Sequence, residues 1–208
     1  MITKNLFGAE QIAPPPGGRG VLLVISGPSG VGKTTITHHV ETVLGGVFSV
    51  SLTTRPITPN DKEGRDYYFV DRPTFERARD RGELLEWAEV FGNLYGTPRG
   101  PVDAATAAGK LVILEIDVEG AVQVKRAMPE CFALFVLPPS LEELLRRLRG
   151  RGREDEATIQ RRYAKAKSEI IRAWDCGVYD QFIVNRDLDH AVKEAVSLVD
   201  AEMQQRKG

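Results

Sequence analysis

Val21-Leu22-Leu23-Val24-Ile25-Ser26-Gly27-Pro28-Ser29-Gly30-Val31-Gly32-Lys33-Thr34 is the stretch that decides the fold. Its first half is an uninterrupted aliphatic run, the signature of a strand covered on both faces. Its second half matches G-x-x-x-x-G-K-[ST], and the residues after it have helical periodicity. A glycine-rich turn between strand and helix lets successive backbone N–H groups curl inward around phosphate oxygens, and the helix start adds its positive dipole end. The candidate cradle comprises Gly27, Pro28, Ser29, Gly30, Val31, Gly32, Lys33, Thr34 and Thr35. In this pattern Lys33 bridges β- and γ-phosphates and the Thr34 hydroxyl ligates Mg²⁺. The expectation is a nucleoside triphosphate site.

Outward from that stretch, the chain has 208 residues, 42% hydrophobic and 27% charged, an ordinary globular mixture suited to one α/β domain. A net charge of −1 argues against a dedicated nucleic-acid binder. Two cysteines, Cys131 and Cys176, read as reduced thiols of a cytoplasmic protein. No apolar run has the ~18 residues of a membrane span. Pro14-Pro15-Pro16-Gly17-Gly18 and the lack of an apolar core make residues 1–20 read as a flexible arm rather than a targeting signal. His38, His39 and His190 have no partners at ligand spacing, so zinc is not expected.

Five apolar runs predict buried parallel strands: Val21–Ser26, Val47–Leu52, Leu111–Ile116, Phe132–Leu137 and Gln181–Asn185. Helical patterns alternate with them over Lys33–Leu44, Gly120–Ala127, Leu141–Leu148, Glu156–Ala173 and Leu188–Arg206. That alternation predicts an open, doubly wound sheet. Ser140, with Glu143 at the third helical position, predicts a capped helix start. Residues 53–100 break the pattern. Tyr67–Val70, Leu84–Val90 and Asn93–Thr97 are aromatic-rich runs separated by turn signals, with a helix near Pro73–Arg81, which predicts a small, mostly antiparallel insertion. A third feature is the basic segment 146–153.

With these motifs in view, the chain resembles the guanylate kinase family from about Val21 to about Ala201. The likeness rests on the glycine-rich loop, on Val50-Ser51-Leu52-Thr53-Thr54-Arg55-Pro56, and on Gly64-Arg65-Asp66-Tyr67-Tyr68-Phe69. It rests further on Leu85-Glu86-Trp87-Ala88-Glu89-Val90-Phe91-Gly92-Asn93-Leu94-Tyr95-Gly96-Thr97, Leu114-Glu115-Ile116-Asp117-Val118-Glu119-Gly120, Pro138-Pro139-Ser140 with Arg147-Leu148-Arg149-Gly150-Arg151-Gly152, and Ile183-Val184-Asn185. The resemblance implies a three-layer α/β P-loop kinase fold with a mostly parallel central sheet, an inserted mixed α+β lobe for GMP and a helical lid. The segments would be core at 21–52, 101–142 and 171–208, the lobe at 53–100 and the lid at 143–170. It implies Mg²⁺-dependent phosphorylation of GMP, and of dGMP, by ATP, in a monomer or homo-oligomer that needs neither nucleic acid nor membrane.

By the same resemblance Ser51, Arg55, Tyr67, Glu86, Tyr95, Thr97 and Glu115 bind GMP, and Thr34 and Asp117 serve the metal, partly through water. Lys33, Arg55, Arg147, Arg151 and Arg162 act in catalysis, and Asn185 lies on the adenine side. The chemistry of the residues agrees. Guanine offers N1–H and a 2-amino group to a carboxylate and O6 to a hydroxyl, which suits Glu86 with Thr97 and Ser51. Adenine would leave a buried carboxylate unpaired, at ~1–3 kcal/mol. Three positions depart from the family: Thr58 stands where a second arginine is usual, Glu115 where aspartate is, and Glu119 where glutamine is. At the first, either Arg65 or another nearby cation takes up the missing charge or GMP binds more weakly; the expectation is a raised KM for GMP rather than lost catalysis. Two other readings remain open from sequence: a non-catalytic guanylate-kinase-like binding module, and a related P-loop kinase with another phosphate acceptor.

Overall fold

The computed structural model describes residues 20–150 and 155–207. In chain order these form β1 (Leu22–Ser26), α1 (Lys33–Leu44), β2 (Val47–Phe48), β3 (Leu52–Thr53), β4 (Tyr68–Phe69) and α2 (Arg72–Asp80). Next come β5 (Leu84–Val90), β6 (Asn93–Pro98), α3 (Arg99–Ala107), β7 (Val112–Glu115) and α4 (Val118–Ala127). The chain continues with β8 (Phe132–Leu137), α5 (Leu141–Gly150), α6 (Glu156–Cys176), β9 (Gln181–Val184) and α7 (Leu188–Gln205). The arm expected over the first twenty residues lies, but for Gly20, outside the described residues, and so does Arg151.

Five parallel strands form the main sheet in the order β2-β7-β1-β8-β9. β1 is buried on both faces because alternate side chains enter different layers. Leu23 and Ile25 join Ile36 and Val40 of α1 and Ala195 and Val199 of α7. Leu22 and Val24 join Val102 of α3 and Ala121 and Val124 of α4. Helices therefore cover both faces, the three-layer arrangement expected. At the far edge, Trp174 of α6 stacks on Phe182 of β9, with centroids 3.9 Å apart and planes 11° from parallel.

The second sheet has the order β4-β3-β6-β5 and is mixed: β3 runs parallel to β4 but antiparallel to β6. Phe75 of α2 fills its inner face with Leu52, Leu84 and Leu94. One sequence expectation changes here. Val47–Leu52 is not a single strand: Val47–Phe48 pairs with β7 in the main sheet, and Leu52–Thr53 pairs with β6 in the second. The chain changes sheet at Ser49-Val50-Ser51, and these three residues line the cleft between the sheets. Four of the helices start behind an aspartate. Asp71, Asp117, Asp155 and Asp187 each accept from a backbone N–H three residues ahead, satisfying donors that a helix start leaves unpaired. Ser140 does the same for Glu143 N at 3.1 Å.

Candidate active site

The glycine-rich loop connects β1 to α1 at the carboxyl edge of the main sheet, where open α/β sheets place their ligand crevice. Two of its glycines are required by space as well as by backbone. At Gly27 (φ 152°) a Cβ would stand 2.5 Å from the Val136 carbonyl oxygen, and at Gly32 (φ 97°) 2.7 Å from Asn185 Nδ2. Lys33 folds back over the loop, donating to the carbonyls of Gly27 (2.6 Å) and Pro28 (3.1 Å). Asn185 is 3% exposed and supports the loop from beneath: its Nδ2 donates to the Val31 carbonyl at 2.7 Å.

α5 and α6 close over this loop. They pack together through Leu144, Leu148, Ile159 and Ala166. Arg162 of α6 donates to the Ser29 hydroxyl. Arg147 of α5 donates to Glu143 (2.8 Å) and to the Asn185 carbonyl (3.1 Å). Two of the three arginines expected around the triphosphate thus meet the loop or its support, and the third, Arg151, lies outside the described residues.

On the other side is a cleft of about 730 Å³ lined by Ser49, Val50 and Ser51, by Arg65, Asp66 and Tyr67, by Thr97, by Leu114 to Ile116, and by His38, Glu41 and Phe48. Thr97 reaches it from β6 and donates to Glu86 Oε1 of β5 at 2.6 Å. Glu86 is 7% exposed. Burial pushes its carboxyl up to about 7; the Thr97 hydrogen bond pulls the other way, and the charge of Asp117 adds to the rise. β5 is pinned beside it by Gln123 of α4, which exchanges two hydrogen bonds with the Trp87 backbone at 3.1 and 3.0 Å. Gln123 was not legible as a site residue, since nothing in its helix spacing distinguishes it from a solvated glutamine.

Arg55, Tyr67 and Tyr95 lie together. The Arg55 guanidinium lies 5.5 Å from the Tyr67 ring and 5.4 Å from Phe69, and the Tyr67 and Tyr95 rings meet edge-on at 5.7 Å. Burial raises the Tyr67 phenol above its ordinary range, Tyr95 adding to this and Arg55 opposing it. Thr58, at the position where a second arginine is usual, donates through N and Oγ1 to Asp61, both at 2.7 Å. Asp61 in turn pairs with Arg55, whose hydrogen bonds hold the carboxyl well below the usual range, with Thr58 contributing. Arg65 lines the cleft and pairs at 3.4 Å with Asp66.

Glu115 and Asp117 divide. Glu115 accepts from Thr34 Oγ1 at 2.9 Å and from Thr37 Oγ1 at 3.4 Å, so it joins the loop helix as well as lining the cleft. Asp117 Oδ1 caps α4 through Gly120 N at 2.9 Å. Glu119 pairs with Arg172 of α6 at 2.7 Å, away from the cleft.

Comparison with known proteins agrees with this geometry. The guanylate kinase family model matches residues 19–202. The chain is 45% identical to the guanylate kinase of Myxococcus xanthus over 202 residues, 97% of this chain and 94% of that one. It is 48% identical to a guanylate kinase of Thermus thermophilus over 186 residues, 89% and 82% of the two chains. A crystal structure of the Anaplasma phagocytophilum guanylate kinase superposes with a TM-score of 0.66 at 35% identity, covering 90% of this chain and 88% of that one. A glycine loop with its lysine folded over it, a buried glutamate bonded to a threonine that lines the neighbouring cleft, and sequence identity along nearly the whole length lead to one conclusion: the chain belongs to the guanylate kinase family.

Proposed function

We propose that this chain transfers the γ-phosphoryl group of ATP to the α-phosphate of GMP, giving ADP and GDP. The observation that carries the reading is the buried Glu86 carboxylate bonded to Thr97, which lines the same cleft as Ser51 and Tyr67. Thr97 gives this carboxylate one hydroxyl donor in a low-dielectric wall, and guanine supplies the two N–H donors that would satisfy its charge. Thr97 would keep its single O–H on Glu86, the Ser51 hydroxyl would answer O6, and Arg55, Tyr67 and Tyr95 would take the phosphate. Residues 53–100 would then be the acceptor lobe, and 143–170 the segment that closes.

On the donor side Lys33 would exchange the carbonyls of Gly27 and Pro28 for β- and γ-phosphate oxygens. Arg147 and Arg162, with Arg151, would neutralise the charge that spreads over the transferring group. Asn185 acts beneath the loop, holding the Val31 carbonyl. The residues also fit Mg²⁺: a hydroxyl and a carboxylate 2.9 Å apart at Thr34 and Glu115 are hard oxygens, and this ion needs only one or two carboxylates beside substrate phosphates. Asp117, with one oxygen committed to its helix, would reach the ion through water. When bound, Mg²⁺ neutralises the β- and γ-phosphate oxygens. The acceptor phosphate is already anionic near neutral pH, so transfer is direct and in line, without a covalent intermediate or a general base. Closure of α5 and α6 excludes the water that would otherwise compete.

A coupled assay with GMP, dGMP, AMP, UMP and a sugar bisphosphate tests the reading. GMP is expected to be turned over fastest, dGMP comparably, and the others at least ~100-fold less efficiently. Equal rates on several acceptors, or none on GMP, would overturn it.

A further inference from the structure

Asp61 and Thr58 form a tightly bonded polar group on the acceptor side that guanine and phosphate recognition leaves unexplained. Arg55 Nη1 donates to Asp61 Oδ2 at 3.0 Å and Nη2 to Oδ1 at 2.9 Å, so the carboxylate occupies the end-on fork of the guanidinium. The second Nη1–H reaches the Pro56 carbonyl at 3.2 Å. Arginine has five N–H donors in a fixed plane. Among the described residues Nε–H and the second Nη2–H have no acceptor, and these two share one edge. That edge is a fork of the spacing that matches two phosphate oxygens. The guanidinium cannot turn easily, since it lies over the rings of Tyr67 and Phe69.

Asp61 is itself fixed. Thr58 donates both its N–H and its hydroxyl to Oδ2 at 2.7 Å, and Asp61 N returns a bond to the Thr58 carbonyl at 3.0 Å, closing a turn. The side chains of Arg55 and Asp61 are 26% and 15% exposed, so the pair is mostly shielded from the water that makes surface ion pairs weak. A carboxylate beside a phosphate site would be a poor choice if its role were charge, because it cancels part of the attraction for a dianion. Its value is directional.

We propose that Asp61, clamped by Thr58, is a positioning residue that takes the end-on fork of Arg55 and aims the remaining two-donor edge at the phosphate of the acceptor nucleotide. The inference rests on the acceptor reading above. Thr58 thus replaces the expected arginine by orienting the one that remains, not by supplying charge.

The test is steady-state kinetics at saturating ATP, with guanosine as a competitive inhibitor that carries the base but no phosphate. Asp61→Asn keeps the shape but turns an N–H toward the guanidinium. It is expected to raise KM for GMP about tenfold, the effect of losing one charge-assisted contact, with kcat changed much less. The inhibition constant of guanosine should stay at the wild-type value, and Asp61→Glu should restore part of the KM. If Asp61→Asn does not fold, Thr58→Val, which leaves Arg55 and Asp61 in place, carries the expectation of a threefold rise, about 0.7 kcal/mol in binding. An unchanged or lowered KM, or a guanosine constant that worsens in step with it, overturns the proposal. A wild type that leaves GMP untouched overturns the acceptor reading and this inference with it. An active wild type with an indifferent Asp61→Asn overturns this inference alone.

Discussion

Thr34 Oγ1 donates to Glu115 Oε1 at 2.9 Å, tying the start of α1 to the end of β7 across the floor of the site. The same carboxylate lines the acceptor cleft. Its hydrogen bonds, however, go to Thr34 and Thr37 of the loop helix, which groups it with the oxygens we propose for Mg²⁺ more than with those we propose for guanine. Glu115→Gln is therefore expected to raise the Mg²⁺ concentration for half-maximal activity by about tenfold, with KM for GMP nearly unchanged. Magnesium titration at fixed ATP checks this; a shift confined to the GMP constant would put Glu115 on guanine instead. Excess EDTA should abolish wild-type turnover.

Glu86 sets a pH dependence for acceptor binding. Its carboxyl titrates at about 7 in the empty site because burial disfavours its charge. Guanine needs the ionised form, so protons compete with GMP. KM for GMP should fall as pH rises from 6 towards 8, by up to about tenfold per unit below 7 and then flatten. A flat profile across that range would show that the ionised carboxylate is not the guanine acceptor.

The same residue should tax the empty fold. A carboxyl raised from 4.5 to about 7 favours the folded state below pH 4.5, and that advantage is lost as pH climbs through 7. At pH 8 the buried charge costs about 3 kcal/mol. Glu86→Gln should therefore gain stability at pH 8 and little at pH 5, read from urea midpoints, while GMP turnover drops by ~100-fold or more. Equal midpoints at both pH values would contradict the buried, raised carboxyl.

Lys33→Ala and Arg162→Ala remove charge from the donor side. Each should lower kcat by ~10²-fold or more, with far-UV circular dichroism unchanged. Arg162 reaches the Ser29 hydroxyl across two elements, so its loss should also raise KM for ATP.

Asn185→Ala leaves the Val31 carbonyl without its 2.7 Å donor in a buried setting. A loss of about 1–3 kcal/mol in stability is expected, together with a raised KM for ATP and an unchanged KM for GMP. A KM shift for GMP of equal size would mean that Asn185 supports the whole fold rather than the loop.

The glycine loop, the strand before it and the Ser140 helix start were legible because each is a local pattern of backbone freedom, burial or capping. Glu86 and Thr97 were legible only as a pair of residue types suited to guanine. Besides Gln123, three things could not be read. The break between β2 and β3 carries no glycine or proline, and its two serines also fit an alternating strand, because the choice of sheet belongs to the partners Ile113 and Tyr95, far along the chain. α3 was missed because Gly100 and Pro101 look like a turn, yet both sit in a first helical turn, where a missing N–H forfeits no intrahelical hydrogen bond. Asp61 was missed because its tie to Arg55 spans an irregular loop without periodicity.

The stacking of Trp174 on Phe182 gives the molecule a built-in optical reporter. The chain has two tryptophans: Trp174 on the helix that carries Arg162, and Trp87 next to Glu86 beneath the Arg79 guanidinium. Replacing Trp87 with phenylalanine would leave a single indole whose emission changes whenever α6 slides against β9, so movement of the donor-side helix could be timed in solution without any attached dye.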